Sequence, residues 1–172
     1  MALVVEDGSI VANANSYVSR EALIAYAASR GVTLANTDAT DVFAIKAMDY
    51  LAMFDNQWRG ALVEPGVQTL AWPRKNVLLE GAWTDLSSTL IPSQLVRAQI
   101  ELAIQVSKGI ELVPTTDPTA AFVKREKVDV IETEYSEAVA LEMRGRLPEF
   151  PLVVSLIQPL LRPVPLLRTR RV

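Results

Sequence analysis

The segment from Pro92 to Lys108 constrains the fold most, because it predicts a helix that is apolar on two sides. Proline suits the first position of a helix, and Gly109 suits the position just after its end. Apolar residues recur along it at spacings of three and four. One line holds Leu95, Ala98, Leu102, Ala103 and Val106, and a second holds Val96, Ile100 and Ile104. Such a helix is expected at the centre of a bundle or in a subunit interface.

Two more helices are predicted before this segment. The first spans about Ser19 to Arg30, with Ser19 as its N-cap. The second runs from about Thr37 or Ala39 to Phe54, and its apolar stripe consists of Ala44, Ala47, Met48, Leu51 and Phe54. Asp38 and Asp41 lie at its start, where capping and the helix dipole explain them better than a shared metal ion does.

The stretch from Asp55 to Ile91 shows no sustained periodicity and is interrupted by glycine and proline. It is predicted to be a long ordered excursion held by its tryptophans, which are Trp58, Trp72 and Trp83. Connections of this length usually serve a function or pack against a partner. The residues chosen as structural anchors are Trp58, Trp72, Pro73 and Arg74. A tryptophan packed in the core is favoured here over a platform on which nucleic-acid bases stack.

A short β-hairpin is predicted between Phe122 and Tyr135. β-Branched and aromatic residues alternate there with charged ones, and the alternation changes phase between Val130 and Ile131. This pattern fits two short strands joined by a tight turn, or a bulge. The acidic residues of the region form either a solvated face or an acidic surface in an assembly: Glu126, Asp129, Glu132, Glu134 and Glu137.

The end of the chain is predicted to be a short helix followed by an extended arm. The helix is expected from about Pro151 to Leu161. Beyond it, residues 162–172 combine apolar residues with arginines, contain no acid, and include two prolines that exclude regular helix. The predicted docking arm consists of Leu160, Leu161, Arg162, Val164, Leu166, Leu167, Arg168, Arg170 and Arg171. The chain therefore divides into a domain of residues 1–150 and a C-terminal helix with its arm, residues 151–172.

These elements predict a mainly α fold, a small bundle of three or four helices with a short β-hairpin and an extended C-terminal arm. The chain has 172 residues, no Cys and no His, which excludes disulfides, thiol nucleophiles and imidazole bases. No phosphate-binding glycine loop occurs. No enzyme activity, metal or cofactor is therefore expected, and neither is a signal peptide or a membrane helix.

Several short motifs occur in a fixed order along the chain. They are Val4-Val5-Glu6-Asp7-Gly8 followed by Ala12-Asn13-Ala14-Asn15-Ser16-Tyr17-Val18-Ser19; Asp49-Tyr50-Leu51 followed by Trp58-Arg59-Gly60; Leu70-Ala71-Trp72-Pro73-Arg74; and Ile91-Pro92 opening a helix with Ala98 and Glu101-Leu102-Ala103. In this order they resemble a virion family of tailed phages, over almost the whole chain up to Pro151. Its members are often labelled DnaT-like single-stranded DNA-binding proteins, and they are also similar to head–tail connector, or adaptor, proteins of phage necks.

The resemblance to connectors implies a small helical adaptor whose copies form a ring, commonly of about twelve, under the portal. Genomic double-stranded DNA would pass through the lumen without sequence-specific binding. The implied partners are further copies, the portal protein, and a stopper or tail completion protein. The implied location is the virion neck, reached after assembly in the host cytoplasm, with no membrane partner. In that setting the C-terminal arm would dock on the portal, the alternative being an arm that folds back over its own domain or over a neighbouring copy. The acidic residues of the hairpin would face the lumen or an interface.

Of the two functions that the resemblance implies, the charge and aromatic content of the chain favour the connector. The net charge is −3 and aromatic residues make up 6% of the chain, whereas single-stranded DNA binding needs a basic groove and exposed aromatic rings. A lumen poor in Lys and Arg lets DNA slide, because each phosphate contact strengthens binding by releasing counterions. Single-stranded DNA binding is the alternative hypothesis.

Overall fold

The fold is known from a computed structural model, which describes residues 3–113, 125–128, 131–134 and 150–163. In this part of the chain there are four α-helices: α1 at Arg20–Ser29, α2 at Asp38–Ala52, α3 at Ser93–Ser107 and α4 at Pro151–Ile157. Two small antiparallel sheets accompany them. The predicted class, mainly α with a short hairpin, is confirmed.

The helices begin and end within two residues of their predicted bounds, except the last. Ser19 is the N-cap of α1, and its hydroxyl accepts a hydrogen bond from the Ala22 N–H at 3.2 Å. Pro92 is the N-cap residue of α3 rather than its first residue. α4 gives way at Gln158–Leu160 to a single 3₁₀ turn, because Pro159 has no N–H to continue the α-helical bonding.

α3 lies at the centre of the described part of the chain and packs against α2, α4 and α1. Its buried residues come from both predicted apolar lines: Leu95, Ala98, Ile100, Leu102, Ala103 and Ile104. The prediction of a central helix is confirmed. The same helix also buries two polar side chains, Gln99 and Glu101. No helix among the described residues is both long enough and apolar enough to cross a bilayer.

The excursion between α2 and α3 contains a 3₁₀ turn at Asp55–Gln57 and a small sheet that sequence periodicity did not predict. In this sheet β1, Ala61–Leu62, pairs antiparallel with β2, Arg74–Lys75. The expectation that every tryptophan anchors the excursion is wrong for Trp83, whose side chain is 99% exposed. The loop closes beneath it, where the Leu86 N–H donates to the Val77 carbonyl at 2.8 Å, so its tip projects away from the core.

The predicted hairpin is present as β3, Arg125–Val128, paired antiparallel with β4, Ile131–Glu134. The register places Val128 opposite Ile131 and Arg125 opposite Glu134. At the N-terminus, Val5 and Ser16 form a single isolated parallel bridge.

Candidate functional site

Two of the predicted anchors meet in the core. The rings of Trp58 and Trp72 lie 6.3 Å apart, edge to face at 79°, an arrangement that aromatic pairs favour. The backbone N–H of Trp72 donates to the Tyr17 hydroxyl oxygen at 3.0 Å. Burial raises the pKa of that hydroxyl well above its usual value. We call this cluster the tryptophan junction (Tyr17, Trp58, Trp72 and Arg74).

Arg74 fastens the junction to the chain that follows Trp58. Its guanidinium donates to the carbonyl oxygens of Arg59 at 2.7 Å, Ala71 at 3.1 Å and Gly60 at 3.2 Å. Burial lowers the pKa of the guanidinium, but an arginine remains charged in proteins. Gly60 has φ +69°, and a Cβ there would lie 2.3 Å from the Lys75 carbonyl oxygen. The close approach of β1 to β2 therefore requires glycine.

The chain after α4 runs antiparallel to residues 57–59 and covers the junction from outside. Leu161 forms a bridge with Trp58, and the Arg162 N–H donates to the Gln57 carbonyl at 2.7 Å. The Arg162 side chain adds a bond from its Nε to the Trp58 carbonyl at 2.9 Å. Backbone and side-chain hydrogen bonds thus hold residues 160–162 against residues 57–59, at the start of the excursion.

Glu6 holds the N-terminal loop as a buried carboxylate. Its Oε1 accepts from the Gly8 N–H at 2.8 Å and from the Ile10 N–H at 3.0 Å, and its Oε2 accepts from the Val11 N–H at 2.9 Å. Bonds from backbone donors to a charged acceptor are stronger than neutral ones. The Glu6-Asp7-Gly8 motif is therefore a device that closes this loop.

Gln99 connects the N-terminal motif to the helices. Its Oε1 accepts from the Tyr17 N–H at 2.9 Å. Its Nε2 donates to the Ser16 hydroxyl at 2.8 Å and to the Ala44 carbonyl at 3.1 Å. A fully buried amide is stable only when its donors and acceptors find partners, and the described residues supply them.

Arg20 joins the first turn of α2 to α1. Its Nε donates to an Asp41 carboxylate oxygen at 2.6 Å, and the same guanidinium reaches Asp38 at 2.9 Å. This hydrogen bonding holds the pKa of Asp41 below its usual value. Both carboxylates lie in the first turn of α2, where the helix dipole favours negative charge. Their hydrogen bonds come from the Arg20 guanidinium and not from backbone N–H groups of the helix. No cluster within the described ranges has the three or more side chains needed to hold a metal ion.

Most arginines of the described domain bind groups of their own chain, which leaves few guanidinium groups to contact a nucleic acid. Those engaged in this way are Arg20, Arg30, Arg59, Arg74 and Arg162. Arg97, on α3, is exposed, and so are the lysines Lys46, Lys75 and Lys108. Trp58 and Trp72 are buried and have no face free for stacking. Trp83 is the exposed ring.

A cavity of about 180 Å³ opens beside Trp58. Its inner wall is apolar, with Met48, Leu70 and Leu95, and Asp49 and Asp55 lie on its rim. Partial burial raises the pKa of Asp55. This volume is smaller than that of sites that hold cofactors, at about 300 Å³ or more. The cavity therefore suits one side chain rather than a cofactor or a nucleotide.

The structure places the predicted anchors and the beginning of the predicted arm inside the domain. Trp58, Trp72, Pro73 and Arg74 are buried. Leu160 is also buried and Leu161 is partly buried, so the arm is part of the domain up to Arg162. Its remaining residues, Val164, Leu166, Leu167, Arg168, Arg170 and Arg171, lie outside the described residues.

The acidic residues proposed for a lumen or an interface fall on or beside the hairpin. Glu126 lies in β3, and Glu132 and Glu134 lie in β4. Asp129 and Glu137 lie outside the described residues. Their role in an assembly stays a prediction.

Sequence reasoning missed Glu6, Gln99 and Arg20 as organising residues. Each is a polar side chain whose partner lies in another element, so local periodicity carries no trace of the contact. A glutamine on the apolar face of α3 was the available sign, since a buried amide needs partners.

Comparison with known proteins relates the chain to one family. The model of a family described as "Putative DnaT-like ssDNA binding protein" matches residues 1–172. No curated protein and no solved structure matches significantly. The description refers to DNA binding and to no enzyme activity. It supports the single-stranded DNA-binding alternative better than the connector hypothesis, on which the comparisons are silent. Because the match extends over the whole chain, and so includes the motifs that meet at the tryptophan junction, this chain belongs to the DnaT-like ssDNA-binding protein family.

Proposed function

We propose that the chain is a structural subunit that binds other proteins, and that it serves as a head–tail connector of a tailed phage. In this role its copies form a ring under the portal and extend the DNA channel. The observation that carries the proposal is the internal use of the arginines and of two tryptophans. Five arginines that could bind phosphate, and two tryptophans that could stack on bases, are instead bound to carbonyls, carboxylates and core residues of the same chain.

The acidic balance supports the same proposal. With a net charge of −3, a ring of such subunits would make few phosphate contacts, and few contacts mean weak retention of DNA in a channel. A closed ring requires that one face of the subunit bind a different face of the next copy.

Single-stranded DNA binding is the second candidate, and it has support of its own. The family description names this activity. In the structure Trp83 is almost fully exposed, and one aromatic ring contributes about 1–3 kcal/mol when a base stacks on it. If the chain binds single strands, Trp83 is the stacking residue that the described residues offer.

Two measurements on the full chain separate these functions. The first is fluorescence anisotropy of a labelled oligothymidylate over a range of salt concentrations, with the wild type and Trp83→Ala. The connector proposal predicts binding no tighter than the weak non-specific range of about 100 µM near physiological salt, and the same result for both proteins. A micromolar constant that Trp83→Ala weakens would establish the second candidate instead.

The second measurement is electron microscopy of the chain mixed with the portal protein of the same phage. The connector proposal predicts a ring of extra density on one face of the portal. Portal particles that show no added density, even with the chain in large excess over the portal protein, would contradict the connector proposal.

A further inference from the structure

We propose that a loop of one copy of the chain, which carries Trp83 at its tip, docks in a groove on a second copy. The loop, residues 78–86, is called the tryptophan loop. The groove lies between α2 and the end of α3, and we call it the α2–α3 groove (Lys46, Asp49, Met53, Val106 and residues 109–113). The inference rests on the proposed function for its need of a ring, in which each subunit must present two different faces.

The tryptophan loop is a projection that is already formed in the single chain. The Leu86 N–H donates to the Val77 carbonyl at 2.8 Å, and the Ala82 N–H donates to the Leu79 carbonyl at 3.1 Å. Val77 is buried, whereas Trp83 at the tip is 99% exposed. A backbone held in this way loses little conformational freedom when it binds, and tryptophan is among the residues that contribute most to binding between proteins. The loop is therefore suited to insert one large ring into a partner.

The α2–α3 groove has the size and the apolar wall that an indole ring needs. Its volume is about 490 Å³, within the range of about 300–1,000 Å³ of sites that enclose organic ligands. Among its lining residues Met53 is 45% exposed, and Ile110 and Val113 are each 40% exposed. Covering these side chains stabilises a complex by about 25 cal/mol for each Å² of apolar surface that is removed from water.

The charge of the tryptophan loop favours a protein over a nucleic acid as its partner. Residues 76–96 contain two acids, Glu80 and Asp85, and no Lys or Arg. Both acids lie within three positions of Trp83, where they would repel the phosphates of a strand stacked on the ring. A surface that combines an apolar pocket with lysines would attract them instead.

The α2–α3 groove provides lysines of this kind. Lys46 lines the groove and Lys108 directly precedes its residue Gly109, and both lysines are exposed. Neither lysine belongs to an ion pair within the described residues. Asp49 and Glu111 also line the groove, so favourable pairing requires the acids of the loop to face the lysines. This requirement restricts the docked loop to orientations in which opposite charges meet.

The two surfaces belong to one chain but do not meet within it. At 99% exposure Trp83 contacts almost nothing of its own subunit, so the groove that receives it lies on another copy. A contact between two different faces leaves a free loop at one end of a pair and a free groove at the other. Association of this kind extends to further copies or closes into a ring.

A single contact of this kind is expected to be weak. A tryptophan buries about 150–250 Å², whereas a stable interface buries about 800 Å² on each partner. The free chain should therefore associate only at protein concentrations of about 0.1–1 mM. Within a closed ring every subunit makes two contacts, which stabilises the assembly beyond the single contact.

The test mixes two variants of the full chain at about 0.5 mM and measures their mass by sedimentation equilibrium. Trp83→Ala keeps the groove and lacks the anchor, whereas Met53→Glu keeps the loop and places a charge in the groove. The wild type should form species larger than a dimer, and each variant alone should be monomeric. The equimolar mixture should form dimers and nothing larger, because only the groove of the first variant and the loop of the second are intact. Leu152→Glu, at a comparably exposed apolar position on α4, should associate like the wild type.

Circular dichroism verifies that each variant is folded, and Lys46→Glu replaces Met53→Glu as the groove variant if the latter unfolds. A wild type that stays monomeric up to about 1 mM would overturn the inference, and this is the result expected if another segment of the same chain fills the groove. A mixture without dimers would overturn it as well, and so would single variants that associate as the wild type does.

The proposed function and this contact can fail separately. A ring on the portal in electron microscopy, together with a mixture of variants that stays monomeric, would overturn the contact alone. Dimers in the mixture, together with portal particles that show no added density, would overturn the connector role alone.

Discussion

Glu6→Gln tests how strongly the N-terminal motif closes its loop. The substitution keeps the size and shape of the side chain and removes its charge. The wild-type carboxylate accepts bonds from Gly8, Ile10 and Val11. In the variant one of the two acceptor atoms becomes an NH₂ group, which faces a backbone donor and cannot accept from it.

The expected cost follows from these bonds. A bond to a charged group contributes about 1.5–3 kcal/mol, and a neutral one about 0.5–1.5 kcal/mol. One bond is lost and the two others weaken by about 1 kcal/mol each, which gives about 3–5 kcal/mol. A buried amide is easier to desolvate than a carboxylate, and this offsets part of the loss. We therefore expect the free energy of unfolding to fall by about 2–4 kcal/mol.

The measurement is urea unfolding near neutral pH, followed by circular dichroism. Glu80→Gln is the matched control, because Glu80 is exposed, and it should change the free energy of unfolding by less than about 0.5 kcal/mol. If Glu6→Gln costs no more than Glu80→Gln, the carboxylate does not hold the loop and the reasoning fails.

Three further predictions concern the core, an ion pair and the chain end. Trp72→Ala should lower the free energy of unfolding by about 3–5 kcal/mol. Trp83→Ala should change it by less than about 0.5 kcal/mol. Equal melting temperatures for the two variants would show that Trp72 does not anchor the excursion. The pKa of Asp41 lies below 3.8 in the fold, so its stabilising effect is present above that value and is lost as pH falls through the folded pKa. The advantage of the wild type over Asp41→Asn in urea unfolding should therefore shrink below pH 3.8, and an advantage independent of pH would contradict the pairing with Arg20. Arg162→Ala removes one charged hydrogen bond to the backbone. Because Arg162 is exposed, we expect the free energy of unfolding to fall by only about 1–2 kcal/mol in the same assay, and no measurable loss would mean that the bond is not formed in solution.

The helices illustrate what a local pattern can predict. Ser19 caps α1, Pro92 precedes α3, and most residues of the two apolar lines of α3 are buried. Each of these features acts between residues a few positions apart, so it is visible in the sequence.

The excursion illustrates the limit. Its small sheet pairs Ala61 with Lys75 through strands of two residues, too short to show any alternation. Apolar spacing does not distinguish Trp83, which is exposed, from Trp72, which is fully buried; only the motif around Trp72 sets it apart in the sequence. Their difference depends on which part of the loop faces α2 and α3.

By itself, then, the sequence determined the helices, their order and the central place of α3, because caps and apolar spacing work within a few turns of chain. Only the tertiary structure decided which polar groups the core would bury and what they would bind. Gln99 reaches Ser16 across 83 positions of sequence, and Arg162 reaches Trp58 across 104. Hydrogen bonds over such separations exist only after the helices have packed, since packing is what brings the donor and the acceptor together.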